Sequence, residues 1–198
     1  MRNIYLVRHG ETEYEDKKSF CLGRINLHLS TEGVKQAETL HKYFSDKNIE
    51  KVFSSSLLRC VETAEIISDK DIIIESALQE INVGEWDGMS FEEIKRRYPG
   101  QYEARGRDFE NYVPPKGESF LECLNRGKKA FYQIFEFSKK ENIVVVAHAG
   151  INRALLCWMM GRKLSSMFQL QQPYGCFNII QYDDVNYNVV EIGKLPKL

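Results

Sequence analysis

Nothing in the sequence approaches the ~20 consecutive apolar residues that a membrane-crossing helix requires. The opening "MRNIYLVRHG" has too short an apolar run for a secretory leader, and no small-residue cleavage site follows it. Cysteine is sparse. Cys21, Cys60, Cys123, Cys157 and Cys176 are odd in number and never form a CxxC pair, which argues against a disulfide framework or a zinc site. They are expected to serve as small hydrophobes in a reducing cytoplasm. A net charge of only −1 gives no electrostatic case for nucleic acid or an anionic membrane as partner, so any anion site must be built locally. Repeats, low-complexity tracts and linkers rich in Pro, Gly or Ser are all missing. With 43% hydrophobic and 28% charged residues, the 198-residue chain is expected to form one soluble domain, residues 1–198. The oligomeric state is not legible.

What is present alternates between strand and helix. "NIYLV" (Asn3 to Val7) reads as a short buried strand, and Ser30 to Phe44 carries apolar residues at helical spacing. "KVFSS" reads as a second strand, after which Ser56 is the expected N-cap of a helix through Ile67. Asp71 to Glu75 is a third strand. Asn142 to His148 is a fourth, apolar on both faces as central parallel strands are. A helix from about Ile151 to Met160 follows and closes at Gly161. "CFNIIQY" and "YNVVEI" read as a terminal hairpin or edge strands. Between the third and fourth strands lies an excursion, Ser76 to about Ser138, with capping-box patterns at Ser90/Glu93 and Ser119/Glu122. The expected fold is a three-layer α/β/α sandwich around a mostly parallel sheet with an antiparallel edge. The helical excursion would cap the site.

Ligands of open α/β sheets sit beyond the carboxyl ends of the strands. Arg8, His9 and Gly10 follow the first strand, Arg59 the second, Glu80 the third and His148 the fourth. Every strand end thus delivers a charged or titratable group to one rim. That set suits phosphoryl transfer, which needs a nucleophile, neutralised equatorial oxygens and a proton for the leaving group. Arg8 and Arg59 offer guanidinium forks to the oxygens. A neutral His9 can attack in line, with a carbonyl fixing its tautomer and Gly10 keeping the backbone close. His148, protonated, would add positive charge. Glu80, kept neutral by partial burial, could protonate the departing alkoxide and then activate water. Neither a metal nor a cofactor is needed. Glu11, Glu85 and Asp87 are rival carboxylates, placed less well than Glu80. His28 and His41 read as surface residues, and Trp86 and Trp158 as core or pocket wall.

"LVRHGET", "SSSLLRCVETA", "LQEINVGEWDG", "PPKGES" and "VVVAHAGINRALL" resemble, in the same order, the signatures of the histidine phosphatase superfamily, with its phosphoglycerate mutase-like fold. The likeness runs from Asn3 to about Leu156 and includes "GRINLHLSTEGVKQA". It implies that His9 is the phosphorylated nucleophile, that Arg8, Arg59 and His148 complete the phosphate pocket, and that Glu80 is the proton donor. Cofactor-dependent mutases of this superfamily carry an Arg and a Tyr where this chain has Ile81 and Val83, and an asparagine near Glu15. The resemblance therefore implies a phosphatase of small phosphorylated metabolites rather than a mutase. "EINVGEWDG" and "PKGESF" look closest to small bacterial α-ribazole phosphatases of the cobalamin pathway and to broad-specificity phosphatases. Specificity is expected from the excursion, where Tyr102, Arg105, Arg107, Phe109 and Tyr112 are candidates to stack on or clamp a leaving group, with Gly23 beside them. A solvated cap is the alternative for the same stretch.

Overall fold

The computed structural model describes residues 2–14, 19–138, 141–183 and 186–197. Glu15, which the sequence comparison with mutases singled out, lies outside them. Six strands form one sheet: β1 (Arg2–Arg8), β2 (Ile49–Ser54), β3 (Ile72–Ile74), β4 (Asn142–Ala147), β5 (Phe177–Tyr182) and β6 (Tyr187–Lys194). Their spatial order is β3-β2-β4-β1-β5-β6. The first four are mutually parallel, whereas β5 and β6 add an antiparallel edge beside β1. β4 enters between β1 and β2, so the two strands richest in apolar residues sit at the centre with both faces covered.

Side-chain alternation along β1 divides the core. Tyr5 and Val7 point to one face and pack with Leu40 and Phe44 of α1 (Thr31–Phe44) and Cys60, Ala64 and Ile67 of α2 (Leu58–Ile67). Ile4 and Leu6 point to the other. They join Phe131 and Ile134 of α5 (Phe120–Phe137) and Ile151 and Leu155 of α6 (Ala149–Met159). Helices on both faces make the expected three layers. The excursion contributes two short helices, α3 (Phe91–Arg97) and α4 (Gln101–Arg107), before α5 returns to the sheet. Trp86 is buried in this region and stacks on Tyr112, with ring centroids 5.7 Å apart.

Local capping follows the sequence in most places. Ser30 caps α1, and Ser119 and Glu122 form a complete reciprocal capping box at α5. At α3 only half of the expected box forms: Ser90 accepts from the Glu93 amide, while the Glu93 carboxylate pairs with Arg97 at 2.6 Å. Ser56 is not the N-cap of α2. Leu57 occupies that position without a side-chain cap, and the Ser56 hydroxyl instead accepts from Gln79. Position before an apolar run signalled a cap, but a long-range amide claimed the hydroxyl. α6 starts two residues earlier than its spacing indicated, because His148 itself is the N-cap residue.

Ser119→Ala should therefore lower stability to urea by about 1 kcal/mol, whereas Ser56→Ala should change it by less than about 0.5 kcal/mol. Equal losses at the two serines would contradict these cap assignments.

Candidate active site

The parallel register aligns Arg8 with Ala147, so the residues that follow, His9 and His148, leave neighbouring strand ends together. The His9 amide continues the ladder to the Ala147 carbonyl at 3.1 Å, and the two imidazole centroids lie 5.1 Å apart. From this point the chain runs to α1 on one face after β1 and to α6 on the other after β4. That is the topological switch point of an open α/β sheet. Gly10 is required by close approach: a Cβ there would sit 2.5 Å from the carbonyl oxygen of Gly33.

Obligate donors and acceptors fix both imidazole tautomers. The Gly10 carbonyl can only accept, so Nδ1 of His9, 2.7 Å away, carries the proton. The Nε–H of Arg59 can only donate, and it reaches Nε2 of His9 at 3.3 Å and Nδ1 of His148 at 3.2 Å. His148 therefore bears its proton on Nε2, which faces the Ser55 hydroxyl at 2.8 Å. Both rings are neutral in this arrangement. The protonated His148 expected from sequence is not the form these contacts favour. Its ring is fully buried, and burial holds its pKa well below the ordinary imidazole value, reinforced by the standing charges of Arg59 and Arg8.

Nη1 and Nη2 of Arg59 each place one N–H on a carbonyl, of Ile25 (2.8 Å) and Gly23 (2.7 Å), which leaves one N–H on each for an anion. The carboxylate of Asp87 in turn clamps that loop by accepting from the amides of Gly23, Arg24 and Ile25. Asp87, read from sequence as a rival acid, is thus occupied in holding a loop. Glu85 is likewise engaged, with Tyr98 and Lys116. Arg8 donates to the Gln172 carbonyl at 2.5 Å and lies 3.6 Å from the ring centroid of Tyr174, while its buried Nε has no hydrogen-bond partner among the described residues. Glu80 is 8% exposed. Its carboxylate accepts from the amides of Ile81 (3.0 Å), Gly150 (2.9 Å) and Ile151 (3.1 Å), the last two in the first turn of α6. A Cβ at Gly150 would collide with Glu80 Oε1. Helix N-termini favour anionic groups, which explains this seat.

A cavity of about 380 Å³ opens over these groups, and its wall includes Arg8, His9, Arg59 and Glu80. Farther out, Phe20, Phe91, Phe120 and Phe168 make it aromatic, and Arg105 and Arg153 add two cations. Arg105 stacks near Phe109 and Phe120 and has no carboxylate partner among the described residues; burial pulls its pKa down. Arg153 donates its Nε to the Leu170 carbonyl. The other specificity candidates lie elsewhere. Tyr102 packs behind the wall on Phe91, Arg107 is exposed on the outer side of α4, and Gly23 acts through its carbonyl on Arg59. His28 and His41 are at the surface, as expected. Sequence reading missed Arg153, Tyr174 and Ser55. Arg153 was findable as a cation in the first turns of the helix that begins at His148; Tyr174 comes from a distant loop with no local signal. Among the described residues, no cluster of three His, Cys, Asp or Glu side chains could hold a metal, and no helix is long and apolar enough to cross a membrane.

Comparison with known proteins gives a concordant picture. The family model of the histidine phosphatase superfamily (branch 1) matches residues 4–194. A 6-phosphofructo-2-kinase/fructose-2,6-bisphosphatase of Gallus gallus is 34% identical over 178 residues, 87% of this chain and 36% of the relative. The corresponding enzyme 4 of Homo sapiens is also 34% identical over the same shares. The chain thus spans about a third of the length of these curated relatives. Among solved structures, an α-ribazole phosphatase from Shigella flexneri superposes with a TM-score of 0.89 at 25% identity, covering 97% of this chain and 96% of that one.

A dianion bound on Arg59 would draw its Nε–H away from His148 and offset the arginine charges, so the freed Nδ1 should gain a proton on binding. The sign follows: affinity rises as pH falls toward 6.5, and binding takes up protons. Sulfate, which does not titrate near neutrality, is a suitable probe. Calorimetric heats of sulfate binding at pH 6.5 should vary with buffer ionisation enthalpy, and His148→Gln should remove that variation. Heats independent of buffer would contradict the coupling.

Proposed function

We propose that this chain, which belongs to the histidine phosphatase superfamily, is a metal-independent phosphomonoesterase that works through phosphorylated His9. The observation that carries this reading is the pair of His9 hydrogen bonds. Its Nδ1–H is held by the Gly10 carbonyl, which puts the lone pair on Nε2, where it accepts from Arg59 until an incoming phosphate takes that donor. Nε2 attacks phosphorus, and the bond from phosphorus to the ester oxygen breaks. Glu80, which must take up a proton when the phosphate dianion enters beside it, gives that proton to the departing alkoxide. Water then attacks the phosphohistidine, Glu80 takes a proton back, and inorganic phosphate leaves. Arg8, Arg59 and a His148 protonated by substrate binding neutralise the equatorial oxygens throughout.

The substrate is a small phosphorylated metabolite. An α-ribazole 5′-phosphate reading is supported by the aromatic wall, which suits a flat heterocycle, and by the likeness to the Shigella phosphatase. A second reading, a sugar bisphosphate, is favoured by Arg105 and Arg153, two cations remote from the catalytic arginines that suit a second anionic group. The fructose-2,6-bisphosphatase relatives point the same way. A phosphoglycerate mutase is disfavoured, because buried Ile81 and Val83 make the wall apolar where mutases would need polar side chains to hold a reorienting bisphosphate.

His9→Ala should reduce turnover of an aryl phosphate by at least about a thousandfold, and wild-type enzyme quenched during turnover should carry an alkali-stable, acid-labile phosphoryl label on His9. EDTA should leave the rate unchanged. Near-normal activity of the alanine variant would end the phosphohistidine reading. For the substrate, Arg105→Ala should lower kcat/KM for a sugar bisphosphate by about tenfold or more and leave that for α-ribazole 5′-phosphate almost unaltered; whichever substrate wild-type turns over faster decides between the two.

A further inference from the structure

Glu80 is held from behind as well as in front. Its backbone carbonyl accepts from two guanidinium groups, Nε of Arg24 at 3.1 Å and Nη2 of Arg126 at 2.9 Å. Both arginines pair with one carboxylate, Glu118: Arg24 Nη2 reaches Oε1 at 3.0 Å, Arg126 Nη2 reaches Oε1 at 2.8 Å, and Arg126 Nε reaches Oε2 at 3.0 Å. Glu118 also accepts from the Asn82 amide at 2.8 Å, and Arg126 Nη1 donates to the Ala77 carbonyl at 2.6 Å. One charged cluster therefore grips the segment carrying Glu80 at Ala77, Glu80 and Asn82.

Such a cluster is an expensive way to stabilise a loop. The side chains of Glu118 and Arg126 are only 15% and 19% exposed, and removing ions from water costs several kcal/mol each before their attraction returns any of it. Burial alone would push the Glu118 carboxyl up. The hydrogen bond from Arg126, the Asn82 amide and the charges of Arg126 and Arg24 hold it below the usual carboxylate range, so it stays ionised and its grip is permanent. Apolar packing would fill the same volume at less cost, but it would not fix a carbonyl to a fraction of an ångström. Proton transfer needs that: donor and acceptor must lie within about 2.6–3.2 Å. Arg24 also belongs to the loop whose neighbouring carbonyls hold Arg59, so its side chain joins the phosphate-binding loop to the acid-bearing segment.

We propose that Glu118, with Arg24 and Arg126, is a positioning device for Glu80 that sets the reach of its carboxyl to the leaving-group oxygen. The inference rests on the reading of Glu80 as proton donor. It makes the cluster act on protonation of the leaving group and not on phosphate binding. A p-nitrophenolate needs little help from an acid, whereas an alkoxide needs much, so the ratio of the two rates isolates the effect.

Glu118→Gln and Arg126→Met should lower kcat for glycerol 2-phosphate about tenfold more than for p-nitrophenyl phosphate, within the 10²–10⁴-fold span of general acid catalysis. Sulfate inhibition constants should stay within about twofold of wild type, as expected of a site whose anion-binding groups are untouched. Arg24→Met, which leaves the Glu118–Arg126 pair intact, should show the same bias more weakly and carries the test where the first two variants do not fold. Equal losses on both substrates, or losses matched by weaker sulfate binding, would overturn the positioning role in favour of a structural one. Glu80→Gln serves as reference. If it shows no bias toward the poor leaving group, the proton-donor reading itself is wrong; if it shows the bias and the cluster variants do not, only the positioning inference fails.

Discussion

A buried guanidinium with no carboxylate hydrogen-bonded to it is the constraint on which the rest of this site depends. Arg59 is 4% exposed, and among the described residues each of its nitrogens donates to imidazole lone pairs or a backbone carbonyl, never to a carboxylate. Every partner is neutral. The cation is thus anchored at every nitrogen but not neutralised as a charge, in a surrounding where Coulomb interactions are weakly screened. An acidic partner would have neutralised it and left nothing for an incoming dianion. The arrangement also dictates protonation: a ring that accepts from Arg59 cannot carry a proton on that nitrogen. Neutrality of His148 and the lone pair on His9 Nε2 follow from the one contact.

Holding Arg59 in this way passes the demand outward. Its two carbonyl partners lie in the 23–25 loop, whose amides all converge on Asp87. The short side chain of Asp87 lets one carboxylate reach three consecutive amides at 2.7–2.8 Å. On the opposite wall the N-terminus of α6 receives the Glu80 carboxylate, and Gly150 leaves room for it. Both walls converge because β1 and β4 are adjacent and in register. The sheet order is therefore not background to the chemistry. It places the two histidines, and the helix that seats the carboxylate follows from the second of them.

The sequence made much of this legible. Strand ends followed by Arg8–His9, Arg59, Glu80 and His148 pointed to one rim, and these five side chains do come together, because parallel strands bring their carboxyl ends to the same edge. What it withheld is specific. The insertion of β4 between β1 and β2 leaves no mark on any local pattern. The protonation of His148 depends on burial by residues far apart in the chain. Ser56 was misread because a cap is a local signal and its true partner, Gln79, is not. Of the excursion candidates, Arg105 lines the cavity, whereas Tyr102 and Arg107, on the same short helix, face other directions, and α4 is too brief for its periodicity to tell them apart.

Few groups around the cavity can supply a proton. Among the arginines, imidazoles, thiol and carboxyl in and behind the wall, the arginines do not release one near neutrality. The Nδ1 proton of His9 is turned to the Gly10 carbonyl, and that of His148 Nε2 faces Ser55 and Cys60, behind the ring. The thiol of Cys21 is pushed up to about 11 by burial. Glu80 is the remaining carboxyl on the wall, and the three amides that hold it, with the guanidinium pair behind its carbonyl, leave it little freedom to move. On the proposed mechanism, a site that holds His9 at both ring nitrogens and Glu80 by several amides must rely on geometry set before the substrate arrives. Its rate then depends on residues that never touch the substrate.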